Sequence, residues 1–364
     1  MAQMTVLGLM SGTSMDGVDA AILVTDGVAI AAFGPRLFRP YAEREREILR
    51  AAVDEARGLT DRTARPGAMA EAERVVTDAH GEAVERLIAG NPGVRIDLIG
   101  FHGQTVLHAP ERRLTVQLGD GRASARRLGL PVIFDFRAAD VAAGGEGAPL
   151  VPIYHRALAE RVGLMGTVAV VNIGGVANIT RIAPDGALAA GDTGPGNALL
   201  DDFVHARTGR RMDEGGALAA QGRVDEAVVA GMLANPWFER PLPKSLDRNA
   251  FSGDAVDHLS VEDGAATLAT FTSRSIVKGI VMAGGADRIV VSGGGAANPA
   301  LMRMLAEAAG VPVASAASLG WSPDFIEAEA FAYLAARSRR GLPLTFPGTT
   351  GVPAPMTGGV LVEP

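Results

Sequence analysis

Residues 8–19 read Gly-Leu-Met-Ser-Gly-Thr-Ser-Met-Asp-Gly-Val-Asp and lie between two apolar runs, 5–7 and 20–24. A turn dense in Gly, Ser and Thr can aim backbone N–H groups and hydroxyls at one point, which is how a protein holds phosphate oxygens. The same composition also serves a plain hairpin turn. The turn lacks a Walker Lys and runs into a second strand pattern, so a P-loop fold does not fit. Residues 172–178, Asn-Ile-Gly-Gly-Val-Ala-Asn, sit between the apolar runs 167–171 and 179–182 and repeat the order strand, Gly-rich turn, strand. Two such hairpins this far apart suit two similar halves, each offering a phosphate loop to a shared cleft. Gly12 and Gly174 then stand where backbone approaches phosphate and where a positive φ would call for Gly. A third Gly-rich stretch, Ser-Gly-Gly-Gly-Ala-Ala-Asn-Pro (292–299), follows a strand pattern and precedes a helical one. There a helix N-terminus adds partial positive charge.

Carboxylates and amides near these turns supply the remaining chemistry. Asp192 opens Asp-Thr-Gly-Pro-Gly-Asn (192–197) just before the helical pattern at 198–203; by spacing alone it could simply cap that helix. Glu327, in Asp-Phe-Ile-Glu-Ala-Glu-Ala-Phe-Ala (324–332), sits at a charged helix start, with Asp324 as a first-turn acid and Glu329 free to face solvent. Asp16 or Asp19 could hold Mg²⁺ through water, without a dedicated protein cage. His102 follows a strand, where it could bind sugar hydroxyls or satisfy a loop carbonyl, and Gln104 and Gln117 are weaker sugar-binding candidates. Six His and no Cys show no zinc-ligand spacing.

The elements that must position these groups read as α/β. Residues 41–57 and 67–89 have helical periodicity with mixed charge on one face. A strand at 94–100 ends in Phe-His-Gly-Gln-Thr (101–105), followed by strands at 114–118 and 131–137. The Ala-Ala-Gly-Gly-Glu-Gly stretch (142–147) suits a passage between lobes. Helical patterns return at 213–234 and 264–283, with a loop at 241–249 between them. The 364 residues suit about two domains, and 48% hydrophobic residues with 46 Gly suit a globular protein with a sizeable core and many tight turns. A net charge of −7 argues against a sequence-independent nucleic-acid binder, and zero Cys removes disulfides and thiolate catalysis. No apolar run approaches a membrane span and no charged leader with a long apolar stretch opens the chain, which points to the cytoplasm.

Six segments together, 8–19, Gly-Phe-His-Gly-Gln-Thr-Val (100–106), Gly-Glu-Gly-Ala-Pro-Leu-Val-Pro (145–152), Asn-Ile-Gly-Gly-Val-Ala-Asn-Ile-Thr (172–180), 192–197 and 292–299, resemble the anhydro-N-acetylmuramic acid kinase family, in that family's order and over nearly the whole chain. The resemblance implies the actin, Hsp70 and hexokinase-like (ribonuclease H-like) fold, two related lobes with a central ATP and sugar cleft. The lobes would be 1–135 with 350–364, and 136–349. It implies ATP with Mg²⁺ as cofactors, an amino sugar as substrate, no nucleic-acid or membrane partner, a homodimer, and a place in cell-wall recycling.

The resemblance makes Asp192 the catalytic base and Glu327 an active-site residue. ATP and its phosphates fall to Ser11, Gly12, Thr13, Ser14, Met15, Asp16, Gly17, Val18, Asp19, Asn172, Gly174, Gly175, Asn178, Gly293, Gly294, Gly295 and Asn298. His102, Gln104, Gln117, Gly194 and Asn197 are sugar-side candidates. The sequence departs from the family pattern at Glu146, usually Gln, at Leu246-Asp247 after Pro243-Lys244-Ser245, and at Glu329, usually apolar. Competing readings are another sugar or carboxylate kinase of the superfamily, a non-catalytic ATP- or sugar-sensing protein, and, weakest, an oxidoreductase.

Overall fold

The computed structural model describes residues 2–364. The first 161 residues open with β1 (Met4–Ser11), β2 (Gly17–Thr25) and β3 (Ile30–Pro40), an antiparallel meander. Helices α1 (Glu43–Ala56) and α2 (Ala68–Ala89) follow, with apolar residues such as Leu49, Ala52, Val76 and Ala83 on their buried faces. Then come β4 (Leu98–Ala109), β5 (Leu114–Leu118), α3 (Gly121–Leu128), β6 (Val132–Phe134), α4 (Ala138–Ala142) and α5 (Pro152–Arg161). The strand expected at 94–100 starts later, at Leu98, and runs straight through Phe101–Thr105 to Ala109, because β5 pairs with it beyond the sheet edge. β4 and β6 run parallel to β1's direction, and 360–362 closes the sheet against β6. The strand order is 360–362, β6, β4, β1, β2, β3.

The second stretch builds β7 (Val168–Ile173), β8 (Val176–Ile182), β9 (Leu188–Pro195), α6 (Ala198–Thr208), α7 (Glu226–Leu233), α8 (Val261–Met282), β10 (Arg288–Ser292), α9 (Pro299–Ala309) and β11 (Val313–Ser315). Its sheet runs β11, β10, β7, β8, β9. The first three strands are again an antiparallel meander, and the last two again join β7 in parallel. Each sheet therefore has the 3-2-1-4-5 order of a ribonuclease H-like lobe. The repeat legible in the two Gly-rich hairpins is a repeat of the whole sheet. The helix expected over 213–234 breaks up. A 3-10 turn at Glu214–Gly216, containing left-handed Gly215, precedes the short α7, whose N-terminus is capped by Asp225 accepting from the Val228 N–H at 3.0 Å.

The chain then returns as α10 (Ile326–Arg339) and packs on the first sheet. Gly8 of β1 and Gly100 of β4 are register partners. A Cβ on Gly8 would collide with the Ala328 carbonyl and the Ala332 N, and one on Gly100 with the Phe331 carbonyl. Two adjacent glycines thus let helix backbone lie directly on sheet backbone. Accordingly the chain divides into one compact unit of residues 1–161 with 324–364 and another of 162–323. These limits differ from 135/136 and 349/350: α5 packs on β3 and α10, and α10 packs on β1, β2 and β4. Each unit has its own apolar core, one including Leu7, Leu49, Val76 and Phe101, the other Val171, Phe203, Phe271 and Leu305.

Glu329 does not face solvent. It is fully buried, its Oε1 receiving Arg36 Nε at 2.8 Å and its Oε2 receiving the Tyr154 hydroxyl at 2.9 Å. The buried carboxylate is thus matched by a guanidinium from β3 and a hydroxyl from α5.

Candidate active site

In the first unit, residues 12–16 form the turn between β1 and β2, with Thr13, Ser14 and Asp16 exposed. Met15 N–H donates to the Gly12 carbonyl at 3.1 Å, and Ser14 Oγ donates to Asp16 Oδ1 at 2.7 Å. The left-handed residue of this turn is Met15, at φ 53°, and neither Gly12 nor Gly174 has a positive φ. Glycine at 12 and 174 therefore matters for open space, since a Cβ there would meet nothing nearer than 3.6 Å. Val18 does not reach the turn at all: it points into the core, and Gly17 is buried against β3. The exposed face of the turn is 12–16 alone.

Ser11 and Gln104 brace this turn from beneath. Ser11 Oγ donates to Gln104 Oε1 at 2.6 Å and lies 3.1 Å from the Tyr41 hydroxyl, while Gln104 Nε2 donates to the Gly12 carbonyl at 3.0 Å. Gln104 is fully buried, so its amide holds the loop and is closed to a sugar. Beside the turn lies a cavity of about 470 Å³ bordered by Ser11, Gly12, Ser14, His102, Arg137 and Glu327. His102 packs its ring on Phe331 at 4.4 Å. Its Nδ1 donates to the Gly103 carbonyl at 2.8 Å and its Nε2 accepts from Arg137 Nε at 3.0 Å. A carbonyl can only accept and a guanidinium can only donate, so the ring is the neutral Nδ1–H tautomer. Burial, then the Arg137 charge, hold its pKa well below the ordinary value. Both nitrogens are engaged by protein, which removes His102 from direct sugar binding.

Arg137 was not singled out in the sequence. It follows β6 by three residues, at the carboxyl end of a parallel strand where open α/β sheets place their ligand-binding groups, and that position was the available signal. Its Nη1 also donates to the Gly147 carbonyl at 2.8 Å. Burial lowers its pKa to about 10, against the charges of Glu327 and Asp140, so it remains a cation at neutral pH. Glu327, in the first turn of α10, is exposed at its surface yet densely surrounded by protein; desolvation raises its pKa and the Arg137 charge opposes the rise. Asp19 is pushed up to about 7, first by burial and then by the carboxylates of Asp16, Glu327 and Asp324. Gln117 lies in a smaller neighbouring cavity of about 250 Å³, its Nε2 bonded to Thr115 Oγ1 at 2.8 Å and its Oε1 without a partner among the described residues.

The second unit centres on Asp192 of β9, opposite Asn178 of β8. Asp192 Oδ2 accepts the Leu246 N–H at 2.7 Å, and its own N–H donates to the Lys244 carbonyl at 2.8 Å. A Cβ on Gly191 would lie 3.0 Å from Lys244 N, so the glycine lets the 241–249 loop close against the strand. The departure at Leu246 costs nothing at this contact, because the bond comes from backbone. Asp192 does not cap α6. Asn197 holds the cap position there, without a side-chain cap bond. Burial raises the Asp192 pKa to about 6, against the pull of the Leu246 N–H and the Lys244 charge. Lys244 itself is turned inward, donating to the Trp237 and Phe238 carbonyls with its Nζ 4.2 Å from the Trp237 ring centroid.

The other Gly-rich segments of this unit converge. Asn197 N–H donates to the Gly174 carbonyl at 2.7 Å and its Nδ2 to the Ile173 carbonyl at 3.3 Å. Gly293 packs on Asn172 and Ile173, Gly295 on Ile173, and Gly294 and Gly175 are exposed. Two candidates are structural. Gly194 is buried against Ser275 and Phe238, and Asn298 Oδ1 accepts the Leu301 N–H at 3.0 Å as the N-cap of α9. A 3-10 turn, Gly294–Ala297, separates the glycines from α9, so the helix does not open directly on them.

The family model for anhydro-N-acetylmuramic acid kinase matches residues 4–364. The chain belongs to this kinase family. A relative from Rhodopseudomonas palustris carrying that name is 54% identical over 366 residues, 99% of this chain and all of the relative. Another from Nitrobacter winogradskyi is 55% identical over 366 residues, again 99% of this chain and all of the relative. Among solved structures, a ROK family glucokinase from Streptomyces griseus in complex with glucose and AMPPNP is similar at 14% identity and a TM-score of 0.39, covering 93% of this chain and 100% of that one. Within the family's frame, the first unit brings together the 12–16 turn, Arg137 and Glu327 around one cavity. The second brings together the 174–175 turn, Asn197 and 293–295, with Asp192 held separately on β9.

Proposed function

We propose that this chain transfers the γ-phosphate of ATP to O6 of 1,6-anhydro-N-acetylmuramic acid while water opens the anhydro ring, giving N-acetylmuramic acid 6-phosphate and ADP. O6 of this sugar is tied into an acetal and has no proton to lose. Water must therefore attack C1; its proton passes to a carboxylate, the C1–O6 bond breaks, and O6 displaces ADP from the γ-phosphorus. The observation that carries this reading is Asp192. It is a carboxylate oriented by one backbone N–H, free of any capping duty, with a pKa raised toward neutrality. Such a group accepts a proton from water and returns it readily, which supplies roughly 10²–10⁴-fold.

The rest of the reading follows from family membership and from the turns. The 12–16 turn of the first unit and the 174–175 and 293–295 turns of the second offer N–H groups and hydroxyls suited to phosphate. Mg²⁺ accompanies the ATP through Asp16 or Asp19, where mutual repulsion of four carboxylates favours a divalent cation; bound there it would neutralise phosphate charge. The family also supports work in the cytoplasm, as a homodimer, in recycling of cell-wall amino sugar. No helix among the described residues is long and apolar enough to cross a membrane.

The test is ATP turnover with 1,6-anhydro-N-acetylmuramic acid beside N-acetylmuramic acid and N-acetylglucosamine, in ¹⁸O-labelled water. The anhydro sugar should be preferred, with label at C1 and none in the transferred phosphate. Preference for a non-anhydro sugar, or label in phosphate, would reject the coupled ring opening.

A further inference from the structure

Arg137 is the one formal cation among the residues bordering the larger cavity of the first unit. Its guanidinium is fixed on two sides, by His102 through Nε and by the Gly147 carbonyl through Nη1. Its Nη2 group makes no hydrogen bond among the described residues. Glu327 borders the same cavity, and the two charges form no ion pair within 4.0 Å. A guanidinium fixed on two sides, with its remaining amino group turned to an open cavity, is placed to meet an anion there.

The substrate proposed above offers two kinds of anion, the phosphates of ATP and the single carboxylate of the sugar's lactyl ether. The phosphates have the 12–16 turn, whose hydroxyls and N–H groups border the same cavity. The lactyl carboxylate has no such partner, and a planar guanidinium held by its neighbours matches the planar, two-oxygen group. We propose that Arg137 binds the lactyl carboxylate of the sugar and thereby selects muramic over glucosamine sugars, with His102 as the positioning residue that aims it. The inference rests on the anhydro-sugar reading. His102 does its part through its tautomer: the ring's Nδ1–H bond to Gly103 leaves the Nε2 lone pair facing Arg137 Nε.

Two sugars separate this from a general loss of activity: 1,6-anhydro-N-acetylmuramic acid and 1,6-anhydro-N-acetylglucosamine, which differ only in the lactyl group. The wild-type protein should prefer the first on the order of 10²-fold in kcat/KM, the size of a paired charge-assisted contact. The methyl ester of the first sugar should behave like the second, a test that needs no variant. Arg137→Met should bring the ratio close to one and Arg137→Lys should keep part of it. His102→Leu should lower the ratio about tenfold, whereas His102→Gln, which retains an acceptor for Arg137 Nε, should restore much of it. Melting curves and ATP affinity of each variant show whether it is folded.

A ratio unchanged in Arg137→Met overturns the inference, as does a rise in KM confined to ATP, which would place Arg137 on phosphate. If the wild-type protein consumes both anhydro sugars equally, the proposed reaction stands and this inference falls. If it consumes neither, the proposed reaction has failed first.

Discussion

At the scale of single residues, what decides a role is the partner each polar atom has found. Asp192 and His102 were both ambiguous in the sequence, one a cap or a base, the other a sugar ligand or a structural histidine. Their hydrogen bonds differ in the way that matters for the proposed roles. Asp192 keeps one oxygen unassigned and gives the other to Leu246, whereas His102 has both nitrogens engaged. Spacing could not show this, because one partner of each is distant in sequence: Leu246 lies 54 positions from Asp192 and Arg137 35 from His102. The consequence for Asp192 is measurable. As a base it must be ionised, and its pKa is raised to about 6, so kcat/KM should climb about tenfold per pH unit below 6 and level off above it. Asp192→Asn should leave ATP affinity near normal and lower kcat on the order of 10²-fold or more, removing that limb from the residual rate. A variant with near-normal kcat, or one that keeps the pH limb, would show that another group takes the proton.

At the scale of elements, the hairpins were legible because strand, Gly-rich turn, strand is a local pattern, and so were α1, α2 and α8, whose periodicity spans several turns. The break in the helical pattern over 213–234 was less legible, since left-handed Gly215 and the turns around it are set by packing against α9. The contact between α10 and the sheet was invisible for another reason. Gly8 and Gly100 look like two more glycines in a chain with 46, until register pairs them beneath the helix that carries Glu327. Gly8→Ala or Gly100→Ala must push α10 outward, because the added methyl group meets helix backbone, which cannot rotate aside. Overpacking of this kind costs about 1–3 kcal/mol, so each variant should melt several degrees lower. Each should also lose turnover at temperatures where it is still folded, as Glu327 shifts with its helix. Gly93→Ala, at an exposed turn with open space around it, is the matched control and should change neither quantity. Equal melting temperatures for Gly8→Ala and Gly93→Ala would contradict this account of how the helix is seated.

At the scale of the whole molecule, the duplication could be read from the two hairpins, but the limits of the units could not. The Gly-rich 142–147 stretch looks like a passage, yet α5, which follows it, packs on β3, and α10 returns from far along the chain to cover β1 and β4. Composition reports local stiffness, and membership of a unit is decided by which distant face a helix buries. Glu329 shows the dependence at its sharpest. It is a fully buried carboxylate, and it is satisfied only because Arg36 and Tyr154, both in the first 161 residues, bond to it. Residues 162–323 are continuous and own a complete sheet and core, so this fragment should fold alone with one cooperative melting transition. Residues 1–161 lack the helix over Gly8 and Gly100 and leave Arg36 and Tyr154 facing an open sheet, so that fragment should melt without cooperativity and aggregate. Co-expression with 324–364 should restore the transition, and Glu329→Ala in that segment should weaken the restoration by stranding the Arg36 charge. A fragment 1–161 that folds cooperatively by itself would show that α10 is docked on a sheet already stable without it.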